Sequence, residues 1–214
     1  MATKRIITGI DVGTHTVRVI IAEYTQGEGL PKVIGLGRAE SRGLRHGYIM
    51  NISDAVRSIR AAVDDAEAQA GLRIRGAYLA LGGVGLEGVT TTGAAVVTRA
   101  DSEVTDADVL RAHRAAEQNL PQAANKKILL TVPVEYRIDG KKIFARPSGM
   151  KGLKLEGTAL IVTCLEQHLN DLIRVVEEAG LEVEDVQRSS LSAQPTLRTT
   201  SHLDSVSPLK KRSW

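Results

Sequence analysis

The chain has 214 residues, of which 43% are hydrophobic, so it is long enough and apolar enough to bury a substantial core. Aromatic residues make up only 3%, which argues against a nucleic-acid groove that stacks bases on aromatic rings. The formal net charge is +3, but residues 188–214 hold five Lys or Arg and one acid, and the other 23 basic and 24 acidic residues nearly cancel; we therefore expect no polyanion-binding surface and no nucleic-acid partner.

The first predicted elements are three strands. Residues 4–12, 16–24 and 32–40 are apolar or alternating, and they are separated by Gly13-Thr14 and by a glycine-rich segment that ends at Pro31. Short segments of this kind joined by turn residues are typical of antiparallel strands. The sequence therefore predicts a β-meander.

A helix and a fourth strand follow the meander. Asn51 and Ser53 offer helix caps, apolar residues then recur at the i, i+3, i+4, i+7 spacing, and Gly71 ends the pattern. Residues 77–81 form a short apolar strand that stops at Gly82-Gly83. We interpret the order strand, strand, strand, helix, strand as a compact α/β unit, with the two glycines marking the passage to another domain.

The next segment has a different composition and predicts a second unit. Residues 85–98 are rich in Thr, Val and Gly and indicate a strand, and Thr105 with Asp108 forms the capping box of a helix. Residues 127–138 then alternate, and Asp139-Gly140 fits the two-residue turn of a hairpin. The order is β-α-β-β.

The chain is then predicted to leave this insert through a loop, a strand and a helix. Residues 147–152 have the composition of a surface loop, and residues 155–165 form a strongly apolar strand that leads out of the insert. Thr163 and Glu166 are expected to cap a helix that ends at Gly180.

Residues 181–186 predict a strand that rejoins the first sheet. From residue 187 to 214 the chain has ten Ser or Thr and no sustained apolar period, so we expect little order there. No segment approaches the roughly 18 apolar residues of a membrane span, and the N-terminus lacks the apolar core of a signal peptide. Together with a single cysteine, these features lead us to expect a cytoplasmic protein.

The most informative motif is Asp11-Val12-Gly13-Thr14, which lies between two apolar strands. Such a turn can offer backbone N–H groups and the Thr14 hydroxyl to a phosphate, while Asp11 holds a metal ion through water. His15 and Arg18 are further candidates for phosphate contact. A glycine hairpin between two strands also forms without any ligand, so both interpretations stay open at this point.

Other residues capable of chemistry do not form a recognisable site. His46, His113, His168 and His202 lack the spacing of metal ligands and are expected at the surface or at edges. Cys164 lies in an apolar strand and is expected to be a buried structural thiol rather than a nucleophile. Ser148 has no general base in view, which argues against a hydrolase.

Taken together, the motifs resemble the N-terminal half of the FtsA family of actin-like bacterial cell-division proteins. The resemblance covers about residues 4–186, with several segments in the right order. The segments that carry it are Gly9-Ile10-Asp11-Val12-Gly13-Thr14, Arg42-Gly43-Leu44-Arg45-His46-Gly47-Tyr48-Ile49, Tyr136-Arg137-Ile138-Asp139-Gly140, Pro147-Ser148-Gly149-Met150-Lys151-Gly152 and the helix end at 176–183.

The resemblance implies an α/β fold class with an α+β insert. Residues 1–83 and 163–186 would form the N-terminal subdomain of an actin-like ATPase, which is ribonuclease H-like. Residues 84–162 would form the inserted β-α-β-β subdomain called SHS2. Residues 187–214 would be a disordered or frameshifted tail.

The resemblance also implies a function. Family members bind ATP with Mg, assemble into filaments, link the FtsZ ring to the membrane and recruit later division proteins at the cytoplasmic face of the inner membrane. Carried over to this chain, Gly13, Thr14 and His15 would contact the phosphates, and Asp11 would face Mg through water. FtsZ and other divisome proteins would be its partners, and self-association is possible.

The chain departs from the family in one large respect. A second phosphate loop of the Asp-x-Gly-Gly-Gly-Thr type should follow the strand near Val186, and the 214 residues do not contain one. Half of the phosphate contacts of a two-domain site cannot position ATP for water attack. We therefore expect ATP and Mg binding to be weak or absent, hydrolysis by this chain alone to fail, and membrane contact to be only indirect because the C-terminal membrane helix is missing.

Three explanations of this departure remain open: a frameshifted or truncated reading frame, a deliberate fragment, and a natural short homologue. An alternative function is a stand-alone interaction module of the SHS2 type that does not use nucleotide. A sugar kinase of the same superfamily is disfavoured by the position of the insert.

Overall fold

The computed structural model describes residues 4–27, 29–82, 85–121 and 124–188. The chain divides into two compact units, one made of Met1–Val84 with Asp171–Trp214 and the other of Gly85–Asn170. The predicted disorder of the tail lies outside the described residues from residue 189 onward. Among the described residues, no helix has both the length and the apolar composition needed to cross a membrane.

Eleven strands and three helices are present in the described ranges. In chain order they are β1 (Lys4–Val12), β2 (Thr16–Thr25), β3 (Lys32–Glu40), β4 (Leu44–Arg45), β5 (Tyr48–Ile49), α1 (Ile52–Ala70), β6 (Gly76–Leu81), β7 (Glu87–Val96), α2 (Asp106–Gln118), β8 (Lys126–Ile138), β9 (Lys141–Ile143), β10 (Lys154–Leu165), α3 (Glu166–Glu178) and β11 (Glu182–Arg188).

The first unit is a five-stranded sheet in the order β11-β6-β1-β2-β3. β1, β2 and β3 are antiparallel neighbours, as the meander prediction requires, whereas β6 runs parallel to β1 and β11 runs parallel to β6. α1 packs on β3 and β2. Its apolar stripe and the facing strand residues form the core, which includes Ile10, Val17, Val19, Ile21, Ile59 and Leu79, each at most 1% exposed.

Glycines on β3 allow α1 to approach the sheet closely. A Cβ atom on Gly37 would lie 1.8 Å from the Ala62 carbonyl oxygen, and one on Gly35 would lie 2.4 Å from that of Ala66. The helix begins at the predicted cap, where the Asn51 side chain accepts a hydrogen bond from the Asp54 N–H. It ends at Gly71, whose φ of 68° is left-handed.

A short hairpin that the sequence pattern does not predict links β3 to α1. β4 and β5 pair across His46 and Gly47, which both have positive φ, as a tight two-residue hairpin turn requires. The Gly43 carbonyl oxygen accepts hydrogen bonds from the Met50 and Asn51 N–H groups and thereby fixes the start of α1.

The second unit is a four-stranded antiparallel sheet in the order β7-β10-β8-β9, with α2 packed on β7 and β10. The predicted capping box of α2 is present, and the β8–β9 turn at Asp139-Gly140 has positive φ at both residues. A Cβ atom on Gly93 of β7 would lie 2.2 Å from the Ala112 carbonyl oxygen, so α2 approaches its sheet as closely as α1 does. Buried residues of this core include Ala95, Val104, Ala112, Leu155, Ala159 and Ile161.

One expectation for the exit from the insert is wrong. The apolar strand predicted over residues 155–165 is β10, which pairs between β7 and β8 and leads into α3. Thr163 does not cap α3, because it is paired within β10 to Glu87 and Ile128 and is only 1% exposed. Strand pairing on both sides overrides the local capping pattern, and α3 begins at Glu166 instead.

Candidate functional site

A two-residue turn joins β1 to β2. Val12 pairs with Val17, and the Gly13 N–H donates a hydrogen bond to the Thr16 carbonyl oxygen at 3.2 Å. Thr14 and His15 therefore form the tip. A Cβ atom on Gly13 would lie 2.9 Å from the same carbonyl oxygen, so a side chain there would force the turn open.

The backbone donors of this tip are those of Thr14 and His15. In the part of the chain that the structure describes, neither N–H group has a backbone acceptor, whereas the His15 carbonyl oxygen accepts a hydrogen bond from the Ser41 N–H at 3.1 Å. Consecutive N–H groups beside a hydroxyl are suited to an anion. Of the three predicted phosphate contacts, Gly13 thus shapes the turn, while Thr14 and His15 present the donors.

Asp11 lies beside the turn, next to a row of basic side chains. Its Oδ2 is 3.4 Å from Arg18 Nη1 on β2, and with side chains 35% and 63% exposed this ion pair is weak. Arg38 of β3 pairs with Arg18, so it extends the same row. The sequence alone does not single out Arg38; the β2–β3 register is the signal that identifies it.

A concave pocket of about 480 Å³ adjoins this row on the sheet face that points away from α1. The β1–β2–β3 register brings Gly9, Ile20 and Leu36 into one row of this face and Asp11, Arg18 and Arg38 into the next. The complete lining is Gly9, Ile10, Asp11, Arg18, Val19, Ile20, Leu36, Gly37, Arg38 and Ala80.

The turn lies at the carboxyl end of β1, where the parallel strand β6 also ends. Ligands of open α/β sheets bind at such ends. The described ranges contain no group of three or more His, Cys, Asp or Glu arranged to hold a metal ion. One carboxylate can hold Mg through water only if the ligand supplies further oxygens. The residues at the turn therefore fit a phosphate that brings its own metal, rather than a metal alone.

The thiol and hydroxyl candidates do not form a second reactive site. Cys164 on β10 is 1% exposed, and burial raises the pKa of its thiol, which disfavours the reactive thiolate. The Ser148 hydroxyl donates a hydrogen bond to an Asp106 carboxylate oxygen. That contact ties the loop of residues 147–152 to the start of α2.

One histidine differs from its predicted surface or edge position. His168 on α3 is buried, at 4% exposure, because it lies on the inward face of an amphipathic helix. His113 on α2 is half-buried: its Nε2 lies 2.8 Å from the Tyr136 hydroxyl, and burial lowers the pKa of this histidine. His202 lies outside the described residues.

The sequence matches known cell-division proteins. The family described as the SHS2 domain inserted in FtsA matches residues 85–163. The cell division protein FtsA of Pseudomonas aeruginosa is 33% identical over 195 residues, which are 91% of this chain and 46% of that protein. The FtsA of Streptococcus pneumoniae is 34% identical over 192 residues, 90% of this chain and 41% of that protein. The chain corresponds to an N-terminal portion of an FtsA-family protein.

A solved structure supports the fold class. The type IV pilus biogenesis complex PilM-PilN superposes with a TM-score of 0.57 at 12% identity, covering 85% of this chain and 47% of that one. This similarity bears on fold alone. Together with the SHS2 match it confirms the α/β class, an actin-like ATPase fold that carries an inserted SHS2 subdomain.

The chain spans less than half the length of the two FtsA relatives. The activity and partners of a complete FtsA are therefore not established for it by similarity. The SHS2 match covers residues 85–163, so the Thr14–His15 tip lies outside it, on the first unit, which has the actin-like fold.

Proposed function

We propose that the chain is the N-terminal portion of an FtsA-type cell-division scaffold, in which the Thr14–His15 turn binds an ATP phosphate with Mg and the second unit contacts division proteins. FtsZ and later divisome proteins are the partners, at the cytoplasmic face of the membrane. The observation that supports this proposal most directly is the turn itself, with two N–H groups and a hydroxyl at the carboxyl end of a central strand.

The chemistry of the neighbouring side chains is consistent with a phosphate. Asp11 is partly exposed, and within the described ranges its side chain is held by a single 3.4 Å contact with Arg18, so it is able to turn toward a hydrated metal. Arg18 and Arg38 lie on strands that run beside the turn and would favour an anion there. Magnesium would neutralise phosphate charge, and the residues of this chain would orient the group.

The affinity of the 214-residue chain for ATP is proposed to be weak. It offers one phosphate turn, and it contains no second Asp-x-Gly-Gly-Gly-Thr segment to close over the other side of the nucleotide. Because in-line attack by water needs the phosphate and the water fixed together, this chain alone would not hydrolyse ATP.

Calorimetric titration with ATP, with and without Mg, tests the nucleotide part of the proposal. We expect weak, Mg-dependent binding that is reduced by Asp11→Ala and by Thr14→Ala. Thr25→Ala at the opposite end of β2 is the matched control and should bind as the wild type does. Wild-type protein that gives no heat up to millimolar MgATP would refute nucleotide binding by this chain.

A second candidate is an interaction module that does not use nucleotide. It is favoured by the second unit, which has its own sheet, helix and buried core, and which matches SHS2 over residues 85–163. Pull-down of purified FtsZ and other division proteins by the wild type and by Thr14→Ala separates the two candidates. Capture that is identical for both proteins, with and without ATP, supports the module; capture that requires ATP and Thr14 supports the scaffold.

A further inference from the structure

The second unit concentrates its positive charge at one edge. Residues 137–154 contain six Lys or Arg and one acid, although the chain outside its last 27 residues is nearly neutral. β9, the last strand of the sheet, lies within this stretch, and so does the loop that follows it. We name the exposed side chains of Lys141, Lys142, Phe144, Arg146, Lys151 and Leu153 the basic edge.

Contacts hold the two parts of the basic edge together. The Asp139 carboxylate accepts hydrogen bonds from the Leu153 and Lys154 N–H groups at 3.0 and 2.9 Å, which brings the β8–β9 turn beside the start of β10. Asp139 keeps its negative charge when it accepts these bonds, but it offsets only one of the six cations of residues 137–154.

Part of the positive charge is compensated within the unit, and part is not. Lys142 pairs with Glu135 at 2.5 Å, and Lys154 pairs with Glu156 at 2.7 Å. Lys141, Arg146 and Lys151 are exposed and form no ion pair within the described ranges. A net positive surface therefore remains after the internal pairs are formed.

The basic edge also exposes large apolar side chains. Phe144 is 93% exposed, and the Lys142 ammonium lies 5.6 Å from its ring centroid. Leu153 is 66% exposed. Lysines on an edge strand protect it against pairing with other chains, but that role gives no reason to expose an aromatic ring. An exposed aromatic ring surrounded by cationic side chains is suited to a partner that is both apolar and anionic.

The edge is also remote from the chain connections of its unit. The chain enters at the start of β7 and leaves at the end of β10, and because these strands are antiparallel both points lie at the same end of the sheet. Val96 pairs with Lys154 at the other end, beside Leu153. The β8–β9 turn is thus at the end opposite the connections.

We propose that the basic edge docks on an anionic lipid bilayer, with Phe144 entering the headgroup region and Lys141, Lys142, Arg146 and Lys151 facing lipid phosphates. Exposed aromatic and basic residues side by side are suited to a membrane interface, where no groove is needed. An acidic peptide would require a groove or a long free edge, and β9 offers only three residues. The proposal does not depend on nucleotide or on the Thr14–His15 turn.

Vesicle flotation of the full 214-residue chain tests whether the basic edge binds an anionic bilayer. The probes are vesicles of phosphatidylcholine alone and of phosphatidylcholine with phosphatidylglycerol in equal parts, at low and high salt. We expect binding to the anionic vesicles only, weakened by salt. Since each basic residue near such a surface contributes about fivefold, Lys141→Gln with Lys142→Gln should reduce partitioning by about tenfold or more.

Matched variants separate the basic edge from other sources of binding. Phe144→Ser should weaken binding at least about threefold, whereas Leu30→Ser, at a site that is 88% exposed in the first unit, should not. Lys210→Gln with Lys211→Gln tests the basic C-terminus, and circular dichroism checks that each variant is folded. Three results would overturn the proposal: no binding to anionic vesicles, binding lost only in the C-terminal variant, or binding of a poly-glutamate peptide through the basic edge without vesicle binding.

Discussion

The two units hold a helix on a sheet in the same way but differ in what the other face of the sheet presents. In the first unit Gly37 lies under Ala62 of α1, and in the second Gly93 lies under Ala112 of α2. In both, a strand residue without a side chain lets an alanine-rich helix approach to backbone contact. Both sheets therefore use a glycine on a strand to let their helix pack closely.

The outer faces both expose apolar side chains but differ in what accompanies them. In the first unit Ile20 and Leu36 are 41% and 55% exposed and adjoin the pocket. In the second unit Val96 and Leu130 are 68% and 39% exposed, and they share their face with Thr92 and Thr158, whose hydroxyls are hydrogen-bonded across strands at 2.9 Å. Threonines among apolar side chains keep a face compatible with water, whereas apolar side chains beside a concave pocket favour association. The two units therefore share a way of packing their helix but differ in the polar groups and the concavity of the outer face.

A methyl group added at either contact glycine should destabilise the protein more than any other change considered below. Gly37→Ala and Gly93→Ala should each lower the free energy of unfolding by about 3 kcal/mol or more, because the new methyl group meets helix backbone and not a movable side chain. Gly29→Ala is the control, since a Cβ atom there has no neighbour within 4 Å. Chemical denaturation measures the effect.

Labelling of the buried thiol shows which unit is affected. Cys164 lies on β10 in the second unit, so its reaction with a thiol reagent reports opening of that sheet. Gly93→Ala should accelerate labelling more than Gly37→Ala does. Equal acceleration by both would mean that the sheets open as one.

The helix caps provide a second contrast, of intermediate size. α1 is capped by the neutral amide of Asn51, whereas α2 is capped by Thr105 with the buried carboxylate of Asp108. Asp108 accepts hydrogen bonds from the Thr105 hydroxyl and N–H at 2.6 and 2.7 Å, and these bonds lower its pKa. Asp108→Asn should cost about 2 kcal/mol at neutral pH, and Asn51→Ala about 1 kcal/mol.

Of these two substitutions, only Asp108→Asn should change the free energy of unfolding by an amount that depends on pH. A carboxyl with a lowered pKa in the folded protein stabilises it above its ordinary pKa near 4, and that stabilisation is lost as the pH falls toward the lowered value. The difference between wild type and Asp108→Asn should therefore shrink in acid, while the Asn51→Ala difference stays constant. Denaturation series at several pH values measure both, and an Asp108 effect that is the same at pH 3 and pH 7 would contradict this assignment.

Most of the fold can be predicted from the sequence where a local pattern and the tertiary context agree. The α1 boundaries follow from Asn51, the apolar spacing and Gly71, and the β8–β9 turn follows from Asp139-Gly140. The prediction that Thr163 caps α3 is wrong because its capping pattern competes with pairing to strands that are distant in sequence. Such pairing leaves no local signal.

The candidate site is predictable only in part for the same reason. The Asp11-Val12-Gly13-Thr14 motif indicates the turn. Only the hydrogen bonds show that the Gly13 N–H is used within the hairpin, whereas those of Thr14 and His15 are not. Arg38 joins the row of Arg18 through strand register, and the basic edge assembles from residues that the overall charge balance conceals.

The smallest expected effect on stability concerns the apolar outer face of the first unit. Leu36→Ser should change the free energy of unfolding by only about 0.5 kcal/mol, because the side chain is already more than half exposed. It should nevertheless reduce concentration-dependent self-association in sedimentation velocity, since it removes apolar surface beside the pocket. Leu30→Ser, an equally apolar change away from that face, is the control. If Leu36→Ser sediments as the wild type does at every concentration, the outer face of the first sheet does not drive association, and the contrast between the two units lies in composition alone.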